Sequence, residues 1–172
     1  MSILTKALIL ILTLGLAACN NPDRNGDASG NNGLNGSGID ANGLGDPSDP
    51  NSVAYFNATI GDRVLFAVDT STLTDTGRAI LQGQAQWLAS HPSYAAIIEG
   101  HADEPGTREY NLALGAKRAS AVQDFLISQG VAPGRLRTVS YGKERPLAVC
   151  SDEGCYAQNR RAVTVLQAGA GA

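Results

Sequence analysis

Histidine is scarce in this sequence, with two copies in 172 residues, and cysteine occurs three times. Neither histidine lies in an H-E-x-x-H array, no serine lies in G-x-S-x-G, and no pair of cysteines has C-x-x-C spacing. The common zinc-peptidase, serine-hydrolase and thioredoxin-like sites are therefore not written here. Aromatic residues make up only 5% of the chain and charged residues only 17%. The net charge is -3 and the pI about 5.3, which leaves no basic face for nucleic acid. No apolar run approaches the roughly 20 residues that a membrane-spanning helix needs. Glycine, by contrast, is plentiful, with 20 copies, most of the excess in one segment.

The N-terminus has the layout of an export signal. Lys6 precedes the apolar run Ala7 to Leu16, and small residues follow. The run ends in Leu16-Ala17-Ala18-Cys19, which resembles a bacterial lipobox. That resemblance implies that residues 1–18 are removed and that Cys19 becomes a lipidated N-terminus, acylated on thiol and amine. One acyl chain binds a membrane only marginally, whereas several anchor it stably. Asn20 follows the cysteine where retention at the inner membrane would call for aspartate, and this implies release to the outer membrane. The covalent lipid is the only attached group expected; no cofactor is.

Asn20 to Ser52 is built mostly of Asn, Gly, Asp, Ser and Pro, with Leu34, Ile39, Leu44 and two alanines as its only apolar residues. Such a segment buries too little to offset its ordering entropy. Residues 19–52 are accordingly expected to form a lipidated, disordered tether, with an r.m.s. span of roughly 30 Å and a full extension of about 110 Å.

Residues 53–172 read as a folded head. Asp62 to Val68 is strand-like. Thr74 caps a helix with its apolar stripe at Ile80, Leu81, Gln84 and Leu88, which stops near His91 because Pro92 follows. Tyr94 to Glu99 reads as a second strand. A long helix covers Thr107 to Gln129, with Leu112, Ala116, Ala119, Val122 and Leu126 as its expected core stripe and Gly130 as its stop. Leu136 to Tyr141 and Arg161 to Leu166 alternate as strands three and four, and the tail from Gln167 is expected to fray. The order βαβαβ-β predicts an α/β (α+β) sandwich, with two main helices packed on one face of a mixed four-stranded sheet.

Cys150 and Cys155 remain after lipidation. In an oxidising compartment they are read as a structural disulfide, worth about 2 kcal/mol for so small a ring. A redox pair and a metal site are the alternatives; no neighbouring histidine completes a zinc set.

The stretch Glu99 to Ala119, containing Gly100-His101-Ala102-Asp103-Glu104 and Leu114-Gly115-Ala116-Lys117-Arg118-Ala119, closely resembles the OmpA-like domain family in its lipoprotein branch. Val139-Ser140-Tyr141-Gly142-Lys143-Glu144-Arg145-Pro146 and Gln158-Asn159-Arg160-Arg161-Ala162-Val163 match it too, and Phe66 to Leu73 does so more loosely. The resemblance spans nearly all of Gly61 to Leu166. It implies an outer-membrane lipoprotein facing the periplasm that binds peptidoglycan through the meso-diaminopimelate side chain. It also implies partnership with TolB and the other Tol proteins in envelope integrity and constriction during division. Diaminopimelate ends in a zwitterion, so its site needs one anion and one cation. The family's pair falls on Asp103 for the ammonium and Arg118 for the carboxylate, with Phe66, Asp69, Gly106, Asn111 and Leu114 as supporting pocket residues. Arginine offers a planar fork that lysine does not. On spacing alone, Asp103 reads as a turn cap and Arg118 as a surface ion pair. His101 reads as a satisfied loop histidine, and Asn159, Arg160 and Arg161 as residues binding the sheet end to the helix. Two positions depart from the family pattern. Ala67 stands where aspartate is usual, and Pro105 stands where arginine is frequent.

Two other classes compete with a binding module. A wall amidase or peptidase lacks a catalytic set, so no catalytic residue and no metal ligand is assigned. A redox lipoprotein would use Cys150 and Cys155 in exchange.

Overall fold

The computed structural model describes residues 43–169. The expected export signal, the lipidation site Cys19 and the tether up to residue 42 lie outside the described residues. No helix among the described residues is long and apolar enough to cross a membrane.

The helices are α1 (Val53–Tyr55), which continues as a π-helical turn over Phe56–Gly61, then α2 (Asp75–Ser90), α3 (Arg108–Ser128) and α4 (Glu153–Asn159). The strands are β1 (Arg63–Leu65), β2 (Tyr94–His101), β3 (Leu136–Gly142) and β4 (Arg161–Ala168). They form one sheet in the order β1-β4-β2-β3. Only β2 and β3 run parallel, as a strand–helix–strand crossover requires; β4 is antiparallel to both β1 and β2. The expected α+β architecture with a mixed four-stranded sheet is what the chain adopts.

Local chemistry accounts for the element ends. Thr74 accepts a hydrogen bond from Gly77 N–H at 3.0 Å and starts α2; Thr107 accepts from Tyr110 N–H at 3.2 Å and starts α3. Arg135 donates to the carbonyls of Leu88 and His91, both at 2.9 Å, and so caps the C-terminal end of α2 where the helix leaves acceptors unpaired. The core between sheet and helices holds Phe56, Val64, Leu81, Leu88, Ile98, Val122 and Leu126, each 2% exposed or less. Gln84 is buried among them without cost in lost hydrogen bonds, because it donates to Gly61 O at 2.7 Å and accepts from Thr164 Oγ1 at 2.8 Å.

Four expectations need correction. First, residues 43–52 were assigned to the tether but are docked on the head. Ala54 N–H donates to Leu44 O at 2.8 Å, Trp87 Nε1–H to Pro50 O at 2.8 Å, and buried Ser52 donates to Asp46 O at 2.5 Å. The segment has no core of its own; it is held by turns and by the indole of α2. Second, the stripe of α3 is misread in its first half. Leu112 and Ala116 are exposed, while Asn111, Leu114, Gly115 and Arg118 are buried. That half packs against a polar site and a close backbone contact, so its inward face is not apolar. Third, α4 was not foreseen, because seven residues containing Gly154 carry no helical periodicity. Fourth, β4 continues to Ala168, with Gly169 N–H donating to Ser93 O at 3.2 Å, so the tail is ordered further than expected.

Candidate ligand-binding site

At the C-terminal ends of β2 and β3 the sheet is irregular. Gly100 pairs with Ser140, but His101 pairs with Gly142, so a bulge opens between Gly100 and His101. Bulges re-aim the side chains that follow. Here the chain leaves the sheet through Ala102 and Asp103, and the loop to α3 turns at Gly106, whose φ of +99° is a conformation suited to glycine.

Beside this loop is an open cleft of about 380 Å³. Asp69 and Val68 line it from the loop after β1, Asp103 and Gly106 from the loop after β2. Tyr110, Asn111 and Leu114 line it from α3, and Glu153 and Tyr156 from α4. The structure thus gathers Asp69, Asp103, Gly106, Asn111 and Leu114 around one space, as expected. Phe66 and Arg118 are buried outside the lining, the Phe66 ring centroid 5.3 Å from the guanidinium carbon of Arg118.

Arg118 differs most from expectation. Its side chain is fully buried rather than reaching across a surface. Nε donates to Thr70 O at 2.8 Å, Nη1 to His101 O at 2.8 Å and Nη2 to Ala67 O at 3.2 Å. It ties the loop after β1 to the end of β2. A guanidinium has five N–H groups, so one on each Nη remains after these three bonds. Burial pushes its pKa down, and Asp103 pushes it back up. Ala67 serves here through its carbonyl. Asp69 nearby is held in the left-handed region (φ 56°) and accepts a hydrogen bond from the Tyr110 hydroxyl. That bond raises the Tyr110 pKa.

Asp103 is only 8% exposed, and Arg160 Nη1 donates to its Oδ2 at 3.1 Å. The same guanidinium donates to Glu153 through both Nη atoms and, through Nε, to Phe66 O at 3.3 Å. Its pKa is raised, by Glu153 first and Asp103 second. Arg160 was read as a sheet-end residue; it is that and also the counter-ion of the site's acid. Asn159 fits the structural reading, accepting from the N–H groups of Leu147 at 2.7 Å and Ala148 at 3.1 Å.

Lys143 belongs to the matching stretch Val139 to Pro146, and spacing alone assigns it no role. Its ammonium donates to Glu104 O at 3.0 Å and Gly106 O at 2.7 Å, and Asn111 donates to Pro105 O at 2.8 Å. Three successive loop carbonyls are therefore held by two side chains. Pro105 has no N–H to offer, yet its carbonyl is engaged.

His101 is not a satisfied loop histidine. It ends β2, is 2% exposed, and neither ring nitrogen has a hydrogen-bond partner. Burial, with Arg161 and Arg145 adding repulsion, pushes its pKa down to about 4.

Cys150 and Cys155 form a disulfide. With Asp152 they are the one close group of ligand-type atoms among the described residues, but sulfurs joined in a disulfide are not thiolate ligands. Asp152 instead caps α4, accepting from Cys155 N–H at 3.1 Å.

The mixed sheet, the crossover helix α3 and the cleft at their edge define an OmpA-like domain. The OmpA family model matches residues 65–160. Among relatives, the peptidoglycan-associated lipoprotein of Agrobacterium fabrum is 49% identical over 92% of this chain and 85% of that protein. That of Mesorhizobium japonicum is 49% identical over 95% of this chain and 92% of that protein. The crystal structure of the peptidoglycan-associated lipoprotein from Burkholderia pseudomallei is 45% identical, covers 71% of this chain and 97% of that one, and has a TM-score of 0.63. The C-terminal domain of Helicobacter pylori MotB shares the fold alone, at 22% identity and a TM-score of 0.58 over 62% of this chain and 84% of that one. The chain belongs to the OmpA family, and within it to the peptidoglycan-associated lipoproteins, a structural rather than enzymatic group.

Proposed function

We propose that the chain binds peptidoglycan non-covalently through the side-chain end of meso-diaminopimelate, and so holds the outer membrane to the cell wall. The observation that carries this reading is the placing of Asp103 and Arg118. The Asp103 carboxylate lines the cleft, and the Arg118 guanidinium lies buried outside the lining, near enough for Asp103 to raise its pKa; the N–H groups it has beyond its three backbone bonds are what a ligand carboxylate would meet. Asp103 would accept from the ligand ammonium, and Arg118 would meet its carboxylate. Leu114 and the ring of Tyr110 would cover the methylene stem. The lipid on Cys19 would hold the other end of the chain in the outer membrane, facing the periplasm, and the tether would set the reach between the two layers. TolB and the other Tol proteins are the partners this reading expects, in envelope integrity and division.

The test is sedimentation of the full chain, in detergent, with purified sacculi. Free diaminopimelate should compete it off the wall. Sacculi whose stem peptides carry lysine, which has the ammonium but not the second carboxylate, should retain little of it. Equal retention on both walls would overturn the reading.

A further inference from the structure

Neither the anchoring role nor the Asp103–Arg118 pair accounts for α4 and the disulfide at its start. The Cys150–Cys155 bridge closes a short ring whose last residues, Glu153 and Gly154, open the helix. From this helix, Glu153 and Tyr156 reach the same cleft as Asp103. Glu153 and Asp103 share one cation. Arg160 turns both Nη atoms to Glu153 and shares Nη1 with Asp103, so the fork closes on Glu153 and not on Asp103. The two acids differ in burial: the Asp103 side chain is 11% exposed and that of Glu153 is 69%.

We propose that Glu153 is a second acid for the ammonium of the ligand, and that the Cys150–Cys155 bridge serves binding by holding Glu153 over the cleft. The inference rests on the diaminopimelate reading above. An ammonium has three donors and is best met by more than one acceptor. Asp103 has one oxygen on Arg160, and its other oxygen is left for the ligand. Glu153 contributes twice: it presents carboxylate at the mouth, and by taking both Nη atoms of Arg160 it leaves Asp103 only a shared Nη1. Without Glu153, Arg160 is free to form the bidentate pair that guanidinium and carboxylate favour, which would neutralise the acid the ligand needs. Beyond the Asp152 cap a seven-residue helix has little to hold its first turn in place, since isolated helices below about 12 residues are marginal. The bridge supplies that constraint.

The experiment is isothermal titration of the full chain, in detergent, with a muropeptide carrying diaminopimelate and with its lysine counterpart, each variant also being melted. Glu153→Gln should weaken both ligands by about three- to fivefold, the range of a largely exposed charge pair, because both carry the ammonium. C150S/C155S should weaken them similarly. Combining C150S/C155S with Glu153→Gln should add nothing further, because the bridge acts through Glu153. Wild-type affinity in folded Glu153→Gln overturns the proposal, as does a fully additive loss in the combined variant. If C150S/C155S does not fold, Glu153→Gln alone decides. Asp103→Ala separates the two levels of inference. Should it abolish binding while Glu153→Gln does not affect it, only the role of Glu153 fails. Should the wild-type chain bind neither muropeptide, the diaminopimelate reading fails and this inference with it.

Discussion

Gly115 of α3 lies against Gly100 of β2 so closely that a methyl group at Gly100 would sit 1.8 Å from the Gly115 carbonyl oxygen. The obstacle is backbone on backbone, so no rotamer change relieves it. This contact sets the depth at which α3 crosses the sheet, and through it the height of Asn111, Leu114 and Arg118 relative to Asp103. Gly100→Ala should therefore destabilise the head by about 3 kcal/mol, at the upper end of ordinary overpacking. Gly115→Ala should cost less. Its Cβ would meet the Ser140 hydroxyl, a side-chain group, at 2.4 Å, and its nearest backbone obstacle, Gly100 O, lies at 2.8 Å rather than 1.8 Å. Urea midpoints order the three proteins, and a Gly100→Ala midpoint equal to wild type would contradict the packing described.

Arg118 ties two loops together and, in the proposed function, also meets the ligand, so a binding assay alone does not separate its roles. Arg118→Ala strips hydrogen bonds from the carbonyls of Ala67, Thr70 and His101, and should lower the melting temperature as well as wall binding. Three acceptors left wanting at about 1 kcal/mol or more each make a loss of about 3 kcal/mol. Asp103→Asn is the cleaner variant. It keeps the shape and an acceptor for Arg160 while removing the charge, so it should leave the melt nearly unchanged. It should reduce sacculus binding by about thirtyfold or more, as for half of a desolvated charge pair. If Asp103→Asn binds sacculi as the wild type does, the ammonium seat lies elsewhere.

Much of this fold could be read from local signals. Thr74 and Thr107 as caps, Pro92 and Gly130 as stops, and the period-two runs of β2 and β4 are governed by neighbours a few residues away. The site was legible only through motif resemblance, because Asp103 and Arg118 taken singly are ordinary residues for a loop and a helix. What escaped was tertiary. Arg160 meets Asp103 across 57 positions, and Lys143 meets Gly106 across 37. The inward face of α3 holds Asn111, Gly115 and Arg118, so hydrophobic periodicity pointed there to Leu112 and Ala116 instead. Residues 43–52 gave no sign of order because their partners, Trp87 above all, lie on another element.

The anchor has its own test. Cys19→Ser removes the proposed acceptor for lipid, so the protein should remain unlipidated, either uncleaved or released in the periplasm. One acyl chain is marginal and several are effectively permanent, so the expected change is from nearly all membrane-bound to nearly all salt-extractable. Membrane fractionation after a salt wash without detergent reads this directly. Persistence of Cys19→Ser with the outer membrane would mean that something other than lipid holds it there.

His101 should make the head acid-sensitive. In the unfolded chain its pKa is near 6.5, and in the folded head it is about 4. The folded state therefore favours the neutral ring, and the unfolded chain takes up the proton first as pH falls. The groups facing it do not reverse this. Arg161 and Arg145 repel an imidazolium, Tyr141 presents a ring 5.6 Å away, and Glu99 lies 3.7 Å from Nε2, beyond hydrogen-bond range. The stability due to the neutral ring is complete above about pH 6.5 and is lost as pH falls toward and through 4, by up to about 3 kcal/mol. His101→Leu removes the titration, and because neither ring nitrogen is bonded it deletes no hydrogen bond. At pH 7.5 its urea midpoint should lie close to that of the wild type, and at pH 4.5 it should lie above it. The carboxylates are common to both proteins, so the difference between the two midpoints reports on His101. Parallel midpoints for the two proteins across that range would show that the ring is not held neutral in the fold.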